Sequence, residues 1–146
     1  MRLFPARPYD WQPDTPGFLF PLRFRIEVAH QPNFSDSKLV VDRTQSEVLN
    51  PGTNAPSYPF STVTARFVRL TATRLNRRDG TNFALALAEM QVLRGELNLA
   101  VGAKVTALDS IESGAWALTN LTDGVTATRS EERRVGKECR SRVLAY

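Results

Sequence analysis

Every proline of this chain, nine in all, lies within residues 1–59, and five of them (Pro5, Pro8, Pro13, Pro16, Pro21) fall in the first twenty-one. Proline has no amide hydrogen to donate and pushes the preceding residue out of the helical region. This part of the chain must therefore be extended or looped. Between the prolines the pattern alternates. In 22–29 (LRFRIEVA), Phe24, Ile26 and Val28 share one face while Arg23, Arg25 and Glu27 share the other, as in a half-buried antiparallel strand. Residues 38–42 (KLVVD) form a second short candidate, and the prolines and turn residues of 50–59 mark a long connection.

Beyond the prolines, 65–75 (ARFVRLTATRL) alternates again, with Val68, Leu70 and Ala72 opposite Arg69, Thr71 and Thr73. Asp79-Gly80 is then a strong turn signal. Residues 83–93 (FALALAEMQVL) read two ways. Their Ala, Leu, Glu, Met and Gln content favours helix, whereas their place after a turn and their closing Gln91-Val92-Leu93 favour the returning strand of a hairpin. We take the strand, ended by Gly95. From Asn98 onward short β-like pieces and turns continue without a helical stripe. Many short strands and no convincing helix predict an all-β sandwich or jelly roll.

Composition narrows the function. The 146 residues suit one ordinary domain, or one domain and a fragment, and 42% apolar content is enough for a core. No apolar run reaches the roughly eighteen residues of a membrane span. Pro5 interrupts the start before a signal-peptide apolar region forms. A single histidine, His30, and a single cysteine, Cys139, supply neither a zinc cluster nor a disulfide framework. No metal or other cofactor is expected.

The net charge of +4 is unevenly placed: 129–146 holds six basic and three acidic groups, leaving thirteen and twelve in 1–128. The segment 129–142, RSEERRVGKECRSR, resembles the translation of a short-read sequencing adapter, whose opening AGATCGGAAGAGC reads in frame as Arg-Ser-Glu-Glu. A solvated basic tail is the alternative. Residues 129–146 are therefore set aside as an artefact, with Cys139 and most of the basic excess, and no nucleic-acid partner is expected.

Three stretches carry a likeness to a known family: RLFPAR at 2–7 with the strand that follows, ARFVRL at 65–70, and LAEMQVL at 87–93. In this order and spacing the chain resembles the discoidin, or coagulation-factor C-terminal, modules. That resemblance implies a galactose-binding-like jelly-roll β-sandwich. Residues 1–95 then correspond to one module lacking its first strands. Residues 96–128, with NLAVGAKVTA, Trp116 and Asn120-Leu121-Thr122-Asp123-Gly124, resemble the start of a second. The same sequences also resemble accessory regions of large bacterial glycoside hydrolases, among them α-L-rhamnosidases. The resemblance implies a glycan or polysaccharide ligand, a parent catalytic domain in cis, and an extracellular or periplasmic location.

A sugar site needs an aromatic face for the apolar side of a pyranose, with planar charged or amide groups for its hydroxyls. The loop PYDWQPDTPGFLF offers Tyr9, Asp10, Trp11 and Asp14, and Arg7 matches the family's loop arginine. Arg7 is either a ligand contact or the structural partner of a loop carboxylate. Trp11 is either a platform or a ring packed under the loop. Arg77, Arg78, Asp79 and Phe83 make a second candidate patch, with Arg78 and Phe83 as its ligand residues; solvated charge is the plainer reading. Arg74 is expected in a salt bridge and His30 in a surface turn. A glycosidase needs two carboxylates fixed across the scissile bond, and Asp10 and Asp14 share one proline-rich loop. The expectation is a non-catalytic carbohydrate-binding module, with a structural spacer as the alternative.

Sequencing the source DNA across codon 128 checks the tail assignment. The frame is expected to continue with residues unlike RSEERRVGKECRSR; finding that segment encoded in the genome would restore Cys139 and the basic tail as real features.

Overall fold

The computed structural model describes residues 1–8, 14–112 and 117–126. Tyr9, Asp10, Trp11, Trp116, Cys139 and the adapter-like segment lie outside these residues. The described chain is all-β, without α-helix. Its centre is β2 (Arg23–Ala29), hydrogen-bonded on one side to β3 (Lys38–Arg43) and on the other to β4 (Phe67–Arg74), both antiparallel. Directly opposed residues of adjacent strands share a face. The register sets Phe24 against Ala72, Ile26 against Leu70 and Val28 against Val68, with Val41 of β3 against Ile26. All seven side chains are buried, Phe24, Ile26 and Leu70 completely. Each of the largest contributes about 1.5–3 kcal/mol by leaving water.

A second pair of strands, β1 (Arg2–Pro5) and β7 (Leu87–Gln91), opposes Leu3 to Met90. Leu3, Leu87 and Met90 join the apolar cluster of the three-stranded sheet, so the two sheets enclose one core in a β-sandwich-like arrangement. The proline-rich connection completes it. Leu3 donates to the Pro56 carbonyl and Tyr58 to that of Met1, so 56–58 runs along the β1 edge away from β7. The Tyr58 ring meets Phe24 edge-on at 5.4 Å.

The expected strands 22–29, 38–42 and 65–75 correspond to β2, β3 and β4. The expected returning strand 83–93 does not form as one piece. Asp79-Gly80 closes a small local hairpin of β5 (Asn76–Asp79) and β6 (Asn82–Ala84), after which the chain leaves it. The Ala86 amide donates to the Leu19 carbonyl, and the next stretch, β7, pairs with β1 rather than with β4. In β7, Leu87, Ala88, Glu89 and Met90 are all buried, which suits a strand covered on both faces.

Next, β8 (Leu93–Arg94) and β9 (Leu97–Asn98) form a two-residue hairpin whose first turn residue, Gly95, has a φ of 59°. The described residues that follow pack onto the same core. Leu121, in the 3-10 helix Leu118–Thr122, joins the main apolar cluster, and the Gly124 amide donates to Glu89 Oε1 at 3.1 Å.

Opposite the core, the face of β2 carries a polar network. Glu27 Oε2 accepts from Arg69 Nε and Nη2 at 3.2 and 3.0 Å and from Arg25 Nε at 3.2 Å, while Ser37 Oγ donates to Oε1. Arg69 lies 4.1 Å from the centre of the Phe34 ring, and Phe34 is held at a φ of 58°, a strained value for a bulky residue. His30 is exposed in the adjoining turn, as expected, and Arg74 pairs with Glu47. Burial opposes ionisation of Glu27, but the hydrogen bonds and charges of Arg25 and Arg69 outweigh it and hold its pKa below the ordinary 4.5. A depressed carboxyl pKa contributes stability that is fully present above the ordinary value and lost as pH falls through the lowered one. Replacing Glu27 by Gln is expected to cost about 2 kcal/mol near neutral pH. It should also flatten the decline of the melting temperature below pH 4.5. Thermal melts across pH check both.

Candidate functional site

Ala6, just past β1, and Phe18 form an antiparallel bridge, with the Phe18 amide donating to the Ala6 carbonyl at 2.9 Å. The bridge pinches off the loop that carries the first candidate patch. Within it Arg7 Nε donates to Asp14 Oδ1 at 2.9 Å and Nη2 to Asp14 Oδ2, a two-pronged clasp across the base of the loop. The hydrogen bonds from Arg7 hold the Asp14 carboxyl below its ordinary range, and Asp14 in turn raises Arg7. Arg7 is thus paired with a loop carboxylate.

The return leg of the loop is tightly turned. Gly17 has a φ of 74°, and a Cβ there would lie 1.8 Å from Asn50 Oδ1. Asn50 cannot swing away freely, since its Nδ2 donates to the Pro16 carbonyl and its Oδ1 accepts from the Gly52 amide. Leu19 is also left-handed, at a φ of 52°, and is buried.

The second candidate patch stands at the same end. Ala6, Phe18 and Leu19 from the loop base form a small apolar cluster with Ala84 and Ala86, which flank the junction between β6 and β7. Alanines at these points let the backbones approach closely enough for the bond from Ala86 to Leu19. Ala84 faces this cluster, so its neighbour Phe83 faces out, with 47% of its surface exposed. Phe83 is the one exposed aromatic ring among the described residues. Arg77 stands directly across the hairpin, its guanidinium carbon 6.0 Å from the Phe83 ring centre. Arg78 points elsewhere, half-buried, with its Nε 3.5 Å from Asp79 Oδ2. Asp79 also accepts from Asn82 Nδ2.

Of the six candidate ligand residues, Arg7, Arg78 and Phe83 are described, and the segments bearing Arg7 and Phe83 are brought together. Tyr9, Asp10 and Trp11 fall outside the described residues. Arg77, more than Arg78, accompanies Phe83. Strand parity did not hold the signal: with Asp79 opposite Asn82, regular pairing would set Arg78 against Phe83, and a bulge between Arg77 and Asp79 sets Arg77 there instead.

No protein family, curated protein or solved structure matches this chain significantly. Among the described residues no helix is long and apolar enough to cross a membrane.

Gly17 and Gly52 both have positive φ, but only Gly17 is crowded. Alanine at Gly52 is expected to cost about 1–2 kcal/mol of backbone strain. Alanine at Gly17 should cost more, because the Asn50 bonds must also yield. Denaturant unfolding of the two variants measures the difference.

Proposed function

We propose that this chain is a non-catalytic carbohydrate-binding accessory module of the discoidin type, with a galactose-binding-like jelly roll. It would serve a larger secreted bacterial glycoside hydrolase, such as an α-L-rhamnosidase, whose catalytic domain is its partner in cis. The supporting observation is the exposed Phe83 ring, flanked by Arg77 and set at the same end of the sandwich as the base of the Arg7–Asp14 loop. A flat apolar ring beside a guanidinium donor suits a pyranose, which offers an apolar face and hydroxyls at its rim. The non-catalytic reading is supported by the carboxylates described at this end. Asp14 is clasped by Arg7, which favours its ionised form and leaves it poorly poised as a proton donor, and Asp79 is engaged by Arg78 and Asn82.

Binding of this kind would be weak, roughly micromolar to millimolar, or about 4–8 kcal/mol. It would act by holding the parent enzyme near polysaccharide and raising local concentration. A second reading, a structural spacer against the catalytic domain, draws support from Arg7, whose donor fork is already taken up by Asp14. Glycan-array binding followed by calorimetry separates the two. The wild-type chain is expected to bind sugar, and Phe83→Ala to weaken that binding about tenfold without lowering the melting temperature. A chain that binds no glycan would support the spacer instead.

A further inference from the structure

Three arginines are described at the proposed sugar-binding end, and they differ in one respect. Arg7 is satisfied by both oxygens of Asp14, and Arg78 lies beside Asp79. Arg77 makes no ion pair among the described residues; its side chain is exposed, and its neighbour is the Phe83 ring. Arg66 is likewise unpaired and stacked, on Phe67, but that ring is half-buried and adjoins Phe34. Among the described residues, only at Phe83 do an exposed ring and an arginine without an ion pair stand on one face.

We infer that this end selects an acidic sugar: Arg77 and Phe83 form a subsite for uronic-acid-containing glycans, the ring taking the pyranose face and the guanidinium its carboxylate. The inference rests on the carbohydrate-binding reading and adds the substrate class. A guanidinium beside a ring keeps its N–H edge directed outward, where it can give two parallel bonds to a planar carboxylate. A neutral hydroxyl accepts only one such bond and competes poorly with water. The carboxylate would also supply the counter-charge that Asp14 and Asp79 supply to the other two arginines.

The test compares three probes on the full chain by calorimetry: trigalacturonic acid, its methyl ester, and a neutral galacto-trisaccharide. The ester keeps the sugar and masks the charge. The free acid is expected to bind about tenfold more tightly than the ester. Arg77→Gln should erase that preference without lowering the melting temperature, and raised salt should weaken the acid selectively. Equal affinity for acid and ester, or a preference that survives Arg77→Gln, overturns the inference and leaves the carbohydrate reading standing. Binding of none of the three overturns both.

Discussion

The structure depends on β2 being hydrogen-bonded along both edges while only one of its faces is apolar. Phe24, Ile26 and Val28 recur every second residue, so pairing with β3 and β4 places them on one inner surface with Val41, Val68 and Leu70. A one-residue slip would move that whole set to solvent and bring Arg23, Arg25 and Glu27 into the core. The penalty for that alternative fixes the register. With the register fixed, the outer face is fixed as well: Glu27 falls opposite Arg69, and the charge network that carries Phe34 follows from the same pairing.

The proposed site is a consequence of where the chain crosses from one sheet to the other. After β6 it must reach β1, and it does so at the loop base, where small side chains permit the bond from Ala86 to Leu19. That crossing sets the β5–β6 hairpin beside the Arg7–Asp14 clasp. Inward Ala84 and outward Phe83 are two sides of one alternation. The residues offered to a ligand are thus selected by the packing of the residues that are not. The tight return through Gly17 and Leu19 serves the same end, since it aims Phe18 and Leu19 into the small cluster instead of solvent.

Strands with clean period-two patterning were legible, because their apolar face has only one way to be buried. The turn at Asp79-Gly80 was legible because few dipeptides tolerate that backbone. The stretch after Phe83 was not. Its residues are apolar on both faces, so periodicity could not distinguish a long strand from shorter ones, and propensity pulled toward helix. At the site, the residue types were visible but their roles were not. Arg7 and Asp14 are separated by a loop whose composition does not reveal which carboxylate closes it. Arg77 and Arg78 can be told apart only once the hairpin register is known.

By itself, then, the sequence determined the all-β class, the apolar faces of β2 and β4 and the hairpin turn, because each follows from alternation or from backbone restrictions that act locally. Tertiary structure alone decided that β7 pairs with β1, that 56–58 runs along the other edge of β1, and that Phe83 stands at the end of the sandwich closed by Arg7 and Asp14. Those outcomes depend on which backbone donors and small side chains meet across long stretches of chain. Such meetings are settled by the packing of the whole core and by no local pattern.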